Sequence, residues 1–170
     1  EDVCGRAAGV QQEIRFIKDR YDVACVLGDL LEAGELPLRV THNDTKSNNV
    51  LMDNTTGKGL CVIDLDTVMP GLAVNDFGDS IRFGASTGAE DEKDLSKISC
   101  DMELYDIYAK GFVEGCGGAL TDMEIECLPI GAKVMTYECG MRFLTDYLSG
   151  DTYFKVDYPT HNLDRARTQL

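Results

Sequence analysis

Residues 41–68 read THNDTKSNNVLMDNTTGKGLCVIDLDTV. The stretch holds two short apolar runs, at residues 48–52 and 60–66, separated by a polar segment with two glycines. Apolar runs of this length on either side of a glycine-containing turn predict a β-hairpin. The hairpin would hold Asn49 near its start and Asp64 near its end, and antiparallel pairing would bring these two side chains close together.

The polar residues of this stretch are suited to phosphoryl transfer. That reaction needs a carboxylate to receive the proton of the attacking hydroxyl group, and oxygen ligands to fix magnesium on the phosphates. Asp44 can serve as the carboxylate, and Asn49 and Asp64 can serve as the ligands. Taken alone, a loop rich in Asn and Asp is also typical of a capped turn, so the hairpin behind the loop is part of the argument.

His42, Asp44 and Asn49 form the pattern H-x-D-x-x-x-x-N, which resembles the catalytic loop of protein kinases and aminoglycoside-type phosphotransferases. Asp64 resembles the magnesium-binding aspartate that follows this loop. The resemblance implies ATP and Mg²⁺ as cofactors, Asp44 as the catalytic base and His42 as a support of the loop. It implies Asn49 and Asp64 as metal ligands, Asp66 as a further ligand or hydrogen-bond partner, and Lys46, Asn49 and Asp64 as contacts to the nucleotide.

Residues 76–79 read DFGD and so contain the D-F-G triplet of protein kinases. The triplet lies too far downstream, because Asp64 already stands a hairpin's length beyond the catalytic-loop asparagine. Asp76 and Asp79 are therefore interpreted as structural loop carboxylates, within a stretch at residues 68–88 that is predicted to be loop and short helix. In the related phosphotransferases a D-x-x-D segment commonly follows here and orders the site.

A longer similarity covers most of residues 41–165 and resembles the N-acetylhexosamine 1-kinases. The segments that carry it are residues 41–66, 68–71, 76–84, 138–146 and 151–154. The resemblance implies phosphorylation of the anomeric hydroxyl of N-acetylglucosamine or N-acetylgalactosamine. It implies Arg142 and Tyr153 as contacts to the sugar, together with Asp44 and Arg82, because Arg offers a fork of donors and Tyr a flat face for a sugar ring.

Two alternatives stay open. The acceptor could be another small alcohol, such as an aminoglycoside, choline, homoserine or methylthioribose, and an acidic surface would suit a cationic one. The chain could also be a non-catalytic, kinase-like module that works through protein contacts.

Apolar side chains recur at helical spacing in residues 10–33, 101–116 and 122–148. Thr121 and Glu124 predict a capping box at the start of the last of these regions, and Gly150 predicts its end. The tail at residues 151–170 is polar and is expected to be peripheral.

These patterns predict one α+β domain over residues 1–170, mainly helical, with a small hairpin that carries the catalytic loop and the magnesium ligand. The resemblance identifies it as the C-terminal lobe of a protein-kinase-like fold. The sequence contains no G-x-G-x-x-G run, so the N-terminal nucleotide lobe is expected to be absent. Weak or absent turnover by the 170 residues alone follows from that expectation.

Composition limits the partners. A net charge of −14, with 16 Lys and Arg, argues against nucleic acid and anionic membrane surfaces. A cytoplasmic location is the default, with a small sugar and a nucleotide as ligands. The seven cysteines show no zinc-binding spacing and are expected to be reduced and mostly buried.

Overall fold

The computed structural model describes residues 2–170, which form six α-helices, four short β-strands and several single 3-10 turns. The chain is thus mainly helical with small antiparallel sheets, as the sequence predicts. The strands are β1 (Arg39–Thr41), β2 (Val50–Met52), β3 (Gly59–Val62) and β4 (Met69–Gly71). The helices are α1 (Gln11–Lys18), α2 (Tyr21–Glu32), α3 (Ala73–Gly84), α4 (Met102–Gly115), α5 (Asp122–Ser149) and α6 (His161–Gln169).

The predicted hairpin is present, because β2 pairs antiparallel with β3 and places Val50 opposite Val62. A second antiparallel pair, β1 with β4, was not predicted. The two pairs flank residues 42–49, which match the catalytic-loop pattern and are called the catalytic loop below. Strand β1 leads into this loop, and β4 follows the segment after β3. They therefore fix both ends of residues 41–68.

The prediction of loop and short helix for residues 68–88 is wrong in its main part, because α3 is a helix of 12 residues. Asp76 and Asp79 accordingly lie on a helix and not in a loop. The helix forms because Val74, Phe77 and Ile81 recur at helical spacing and are all buried in the core.

Helix α5 is the central element, and α3 packs across it at very short range. A Cβ atom at Gly78 of α3 would lie 2.3 Å from the carbonyl oxygen of Gly131 in α5. A Cβ atom at Gly131 would lie 2.2 Å from the carbonyl oxygen of Val74. The two backbones can approach this closely only because both positions are glycine.

Both ends of α5 follow the prediction. Thr121 and Glu124 form a reciprocal capping box, and Gly150 ends the helix in the left-handed region with φ 97°. Glu124 is buried, and its Oε2 also accepts a hydrogen bond from Nη2 of Arg39 in β1 at 2.6 Å. The start of α5 thus anchors the strand that leads to the catalytic loop.

The expectation of a peripheral tail is wrong. Helix α6 packs along α5, and His161, Asn162, Leu163 and Ala166 are buried. Its apolar side chains share a core cluster with Phe143 and Leu144 of α5 and with Val10. The polar composition suggested an exposed segment, but α6 can bury polar side chains such as Asn162 because they have specific hydrogen-bond partners.

The cysteines are free, as expected, but the expectation that most are buried is wrong. Cys127 and Cys139 are buried, whereas Cys4, Cys61 and Cys100 are exposed. Burial raises the pKa of Cys139 to about 11. Among residues 2–170, no helix is both long enough and apolar enough to cross a membrane.

Candidate active site

The catalytic loop is held from behind by α3. Asp76 accepts the backbone N–H groups of His42 and Asn43, each at 2.8 Å, one on each carboxylate oxygen. Thr45 Oγ1 donates to the carbonyl oxygen of Asp76 at 2.5 Å, and Ser80 Oγ donates to that of Thr45 at 3.0 Å. The carboxylate of Asp76, the first residue of the D-F-G-D segment, therefore fixes the backbone of the catalytic loop directly.

His42 joins the loop to the end of β3. Its Nδ1 accepts the backbone N–H of Asp44 at 3.2 Å, so the ring proton must be on Nε2. That nitrogen lies 2.9 Å from the carbonyl oxygen of Ile63 and donates to it. Asn43, in the left-handed region with φ 62°, adds a bond from Nδ2 to the carbonyl oxygen of Thr67. The loop is thus tied to the segment that carries Asp64.

Asp44 is held by two side chains. Lys46 Nζ and Asn49 Nδ2 each lie 2.8 Å from Asp44 Oδ2. Partial burial acts to raise the pKa of Asp44, but the hydrogen bonds from Lys46 and Asn49 outweigh it and leave the pKa below its usual value. Asp44 is therefore a carboxylate at neutral pH.

The base of the hairpin pairs the backbone of Asn49 with that of Ile63, the residue before Asp64. The backbone N–H of Ile63 donates to the carbonyl oxygen of Asn49 at 2.9 Å, which places the next residue, Asp64, beside the loop. Asn49 is 5% exposed, and its Nδ2 is used by Asp44, so Oδ1 is the group left for a cation. The carboxylate of Asp64 also contributes to raising the pKa of Lys46, after the larger effect of the bond to Asp44.

The side chains predicted to contact a sugar lie in two different environments. Arg142 Nη2 lies 3.5 Å from the hydroxyl of Tyr153, whose side chain is 73% exposed. The side chain of Arg82 is 9% exposed, and its guanidinium is paired with Asp79 at 3.0 Å and Glu90 at 3.1 Å. Within residues 2–170, Asp79 makes no hydrogen bond to the catalytic loop. The direct support of the loop from α3 therefore comes from Asp76.

Sequence reasoning missed Asp146, which positions the turn that carries Tyr153. This residue is 5% exposed. Its Oδ1 accepts the backbone N–H groups of Thr152 and Tyr153, and its Oδ2 accepts that of Phe154, all at 2.9 Å. Asn162 of α6 donates to Oδ2 at 2.8 Å. The signal was available, since Asp146 is a charged residue close to buried positions of a long apolar helix.

We expect Asp146→Asn to lower the free energy of unfolding at pH 7 by about 1–3 kcal/mol, because an amide nitrogen would face donors that now have an acceptor. Burial acts to raise the pKa of Asp146, but the backbone N–H groups outweigh it and lower the pKa below its usual value of 3.8. A lowered folded-state pKa gives stability that is complete above the unfolded-state pKa and is lost as pH falls through the folded-state value.

Urea unfolding at pH 7 and at pH 3 or below measures this effect. The difference between Asp146→Asn and the unsubstituted protein should shrink as the pH falls. Asp106→Asn, an exposed helix position paired with Lys110, should change little at either pH. A pH-independent loss at Asp146 would show that the charge of the carboxylate is not what holds the turn.

A polar loop after a short strand and a hairpin followed by an aspartate are consistent with a kinase-like phosphotransferase domain. Residues 1–108 match the phosphotransferase enzyme family (APH). The match covers more than half of the 170 residues, and the chain belongs to this family. It is thus an enzyme of the kinase type. Arg142 and Tyr153 lie outside the matched range.

Proposed function

We propose that the chain transfers a phosphoryl group from ATP to a hydroxyl group of a small molecule, with Asp44 as the general base. The observation that carries the proposal is the environment of Asp44. Lys46 and Asn49 hold Oδ2, and Oδ1 accepts no hydrogen bond from the described residues. A fixed, ionised carboxylate with one free oxygen is suited to receive the proton of an attacking hydroxyl.

The residues present fit Mg²⁺ as the partner of the nucleotide. Asn49 Oδ1 and the Asp64 carboxylate would bind it, with Asp66 as a further ligand or hydrogen-bond partner. Residues 2–170 contain no group of three or more His, Cys, Asp or Glu side chains that could hold a metal. Asn49 and Asp64 would be enough protein ligands for Mg²⁺, which is commonly held by one or two carboxylates together with waters and phosphates. Bound Mg²⁺ would neutralise charge on the phosphates, and Lys46 would contact them.

For the acceptor we propose an N-acetylhexosamine, phosphorylated at its anomeric hydroxyl. Arg142 and Tyr153 support this, because an exposed aromatic ring beside a guanidinium offers both stacking and hydrogen bonds to a sugar. Asp146 holds the turn of Tyr153 in place for such a contact. Arg82 would reach a sugar only if its ion pair with Asp79 or Glu90 opened.

We further propose that the chain acts as the C-terminal lobe of the enzyme and that a nucleotide-binding lobe covers the hairpin. The apolar side chains of the hairpin support this, since Met52, Leu60 and Val62 are 52%, 65% and 53% exposed. Contiguous exposed apolar surface is typical of an interaction site. A cytoplasmic location is part of the proposal, because the free cysteines suit a reducing compartment.

A cationic acceptor, such as an aminoglycoside or choline, is the second candidate. The net charge of −14 favours it, because an acidic surface attracts cations. This candidate keeps Asp44 in the same role and changes only the molecule that carries the hydroxyl group.

An acceptor panel tests both candidates in the natural polypeptide at its full length. With ATP and Mg²⁺, we expect sugar 1-phosphate from N-acetylglucosamine or N-acetylgalactosamine, and no product from their methyl glycosides, which lack the anomeric hydroxyl. Phosphorylation of the methyl glycosides at the same rate would contradict the anomeric assignment. Turnover with choline or an aminoglycoside but not with the hexosamines would favour the second candidate.

A further inference from the structure

A large cavity lies beside the C-terminal end of α3, where Ile81 and Arg82 line it, and away from the catalytic loop. Its volume is about 910 Å³, and no residue of the 41–68 stretch lines it. The lining comes from all six helices, from residues 85–86 and 98–100, and from Arg20 and Leu170. Small-molecule sites usually have about 300–1,000 Å³ of volume, so this space is large enough for a ligand.

The walls of the cavity are mostly apolar. A ligand that fills the cavity must therefore have a large apolar part, because most of the wall surface offers no hydrogen-bond partner to a buried hydroxyl group. The hydroxyl-rich sugar proposed above as the acceptor does not meet this requirement. Six of the wall residues are Phe16, Val23, Ile81, Ile98, Tyr105 and Tyr137.

The charges on the lining all have one sign. Arg20, Arg82 and Lys133 line the cavity, and no Asp or Glu does, although the chain has 30 acidic residues and 16 Lys and Arg. Arg82 is neutralised by Asp79 and Glu90. Arg20 and Lys133 are exposed and have no carboxylate partner among the described residues.

Arg20 is also held in place. Its guanidinium lies 3.5 Å from the ring centroid of Phe16 and donates to the carbonyl oxygen of that residue at 3.3 Å. Lys133 lies on α5 next to Ala132, which also lines the cavity. An apolar space with two unpaired cations exposed to solvent is complementary to a molecule with an apolar body and one anionic end.

We propose that this cavity binds an amphipathic carboxylate, with its hydrocarbon chain inside and its carboxylate at the exposed cations of the lining, Arg20 and Lys133. The inference is independent of the phosphoryl-transfer site. It rests on the volume, the apolar walls and the one-sided charge of the lining.

Dodecanoate is a suitable probe, and titration calorimetry on the full chain measures its binding. We expect Lys133→Glu and Arg20→Glu each to weaken dodecanoate binding at least tenfold. Both positions are exposed, so these substitutions should leave the fold intact. Ala132→Trp should abolish binding by filling the cavity.

Two controls separate this site from non-specific attraction. Lys58→Glu makes the same charge change in the hairpin turn, outside the cavity, and should leave dodecanoate affinity unchanged. Dodecylammonium, with the same chain and the opposite charge, should bind at least tenfold more weakly. The proposal is overturned if dodecanoate does not bind, if dodecylammonium binds as tightly, or if Lys133→Glu and Lys58→Glu behave alike.

Discussion

Replacing Asp44 by asparagine is expected to lower kcat for phosphoryl transfer by about 10²–10⁴-fold. The amide has almost the same shape as the carboxylate, so it can still accept a hydrogen bond from Asn49, which now lies 2.8 Å from Oδ2. It cannot take the proton of an attacking hydroxyl. Binding of the acceptor should change little, since a loss confined to kcat is the signature of an interaction made in the transition state.

Steady-state kinetics on the natural polypeptide at its full length would measure kcat and KM separately for the acceptor. Circular dichroism and the midpoint of thermal unfolding would verify that the fold is kept. Asp106→Asn, a surface carboxylate on α4, is the matched control and should retain full turnover. Near-normal kcat in Asp44→Asn would remove Asp44 from the chemistry. Inactivity of the unsubstituted protein with every acceptor would instead favour a non-catalytic module.

The hairpin and the two longest helices, α4 and α5, could be predicted because local sequence signals decide them. Residues 53–59 separate two apolar runs with a glycine-containing turn, and the structure places β2 and β3 on either side. Helix α5 has an apolar repeat, a capping box and a terminal glycine, so each local feature agrees with the next.

Helix α3 and strand β4 could not be predicted in the same way. The glycines and aspartates of residues 76–84 are poor helix formers, and Gly78 is present because of its contact with α5 and not because of local preference. Strand β4 contains Pro70 and pairs with β1, about thirty residues earlier in the chain, so its partner cannot be read from its neighbours.

The candidate site likewise contains some residues that local sequence identifies and others that only the fold brings into place. The motif singles out Asp44, Asn49 and Asp64, the residues proposed to carry the chemistry, because the proposed reaction dictates their types and spacing. The residues that hold them are fixed by the fold. Asp76 reaches the loop from a helix 33 residues later, and Asp146 reaches the turn of Tyr153 across the end of α5.

Replacing Gly131 by alanine is expected to lower the free energy of unfolding by about 3 kcal/mol, the upper part of the usual range for overpacking. The new methyl group would lie 2.2 Å from the carbonyl oxygen of Val74 and 2.9 Å from its carbonyl carbon. Backbone atoms cannot swing aside as a side chain can, so α3 and α5 must separate. Because α3 also carries Asp76, the same shift would loosen the hold on the catalytic loop.

Urea unfolding of the chain followed by circular dichroism would measure this loss, with Gly111→Ala in α4 as the control. No atom lies within 4 Å of a Cβ built at Gly111, so alanine there should raise stability by about 0.5–1 kcal/mol through its better helix propensity. Opposite signs for the two substitutions are the expected result, since both replace a helical glycine by the same residue. If Gly131→Ala were as stable as Gly111→Ala, α3 would not be packed against α5 through these glycines, and the anchoring of the loop by Asp76 would need another explanation.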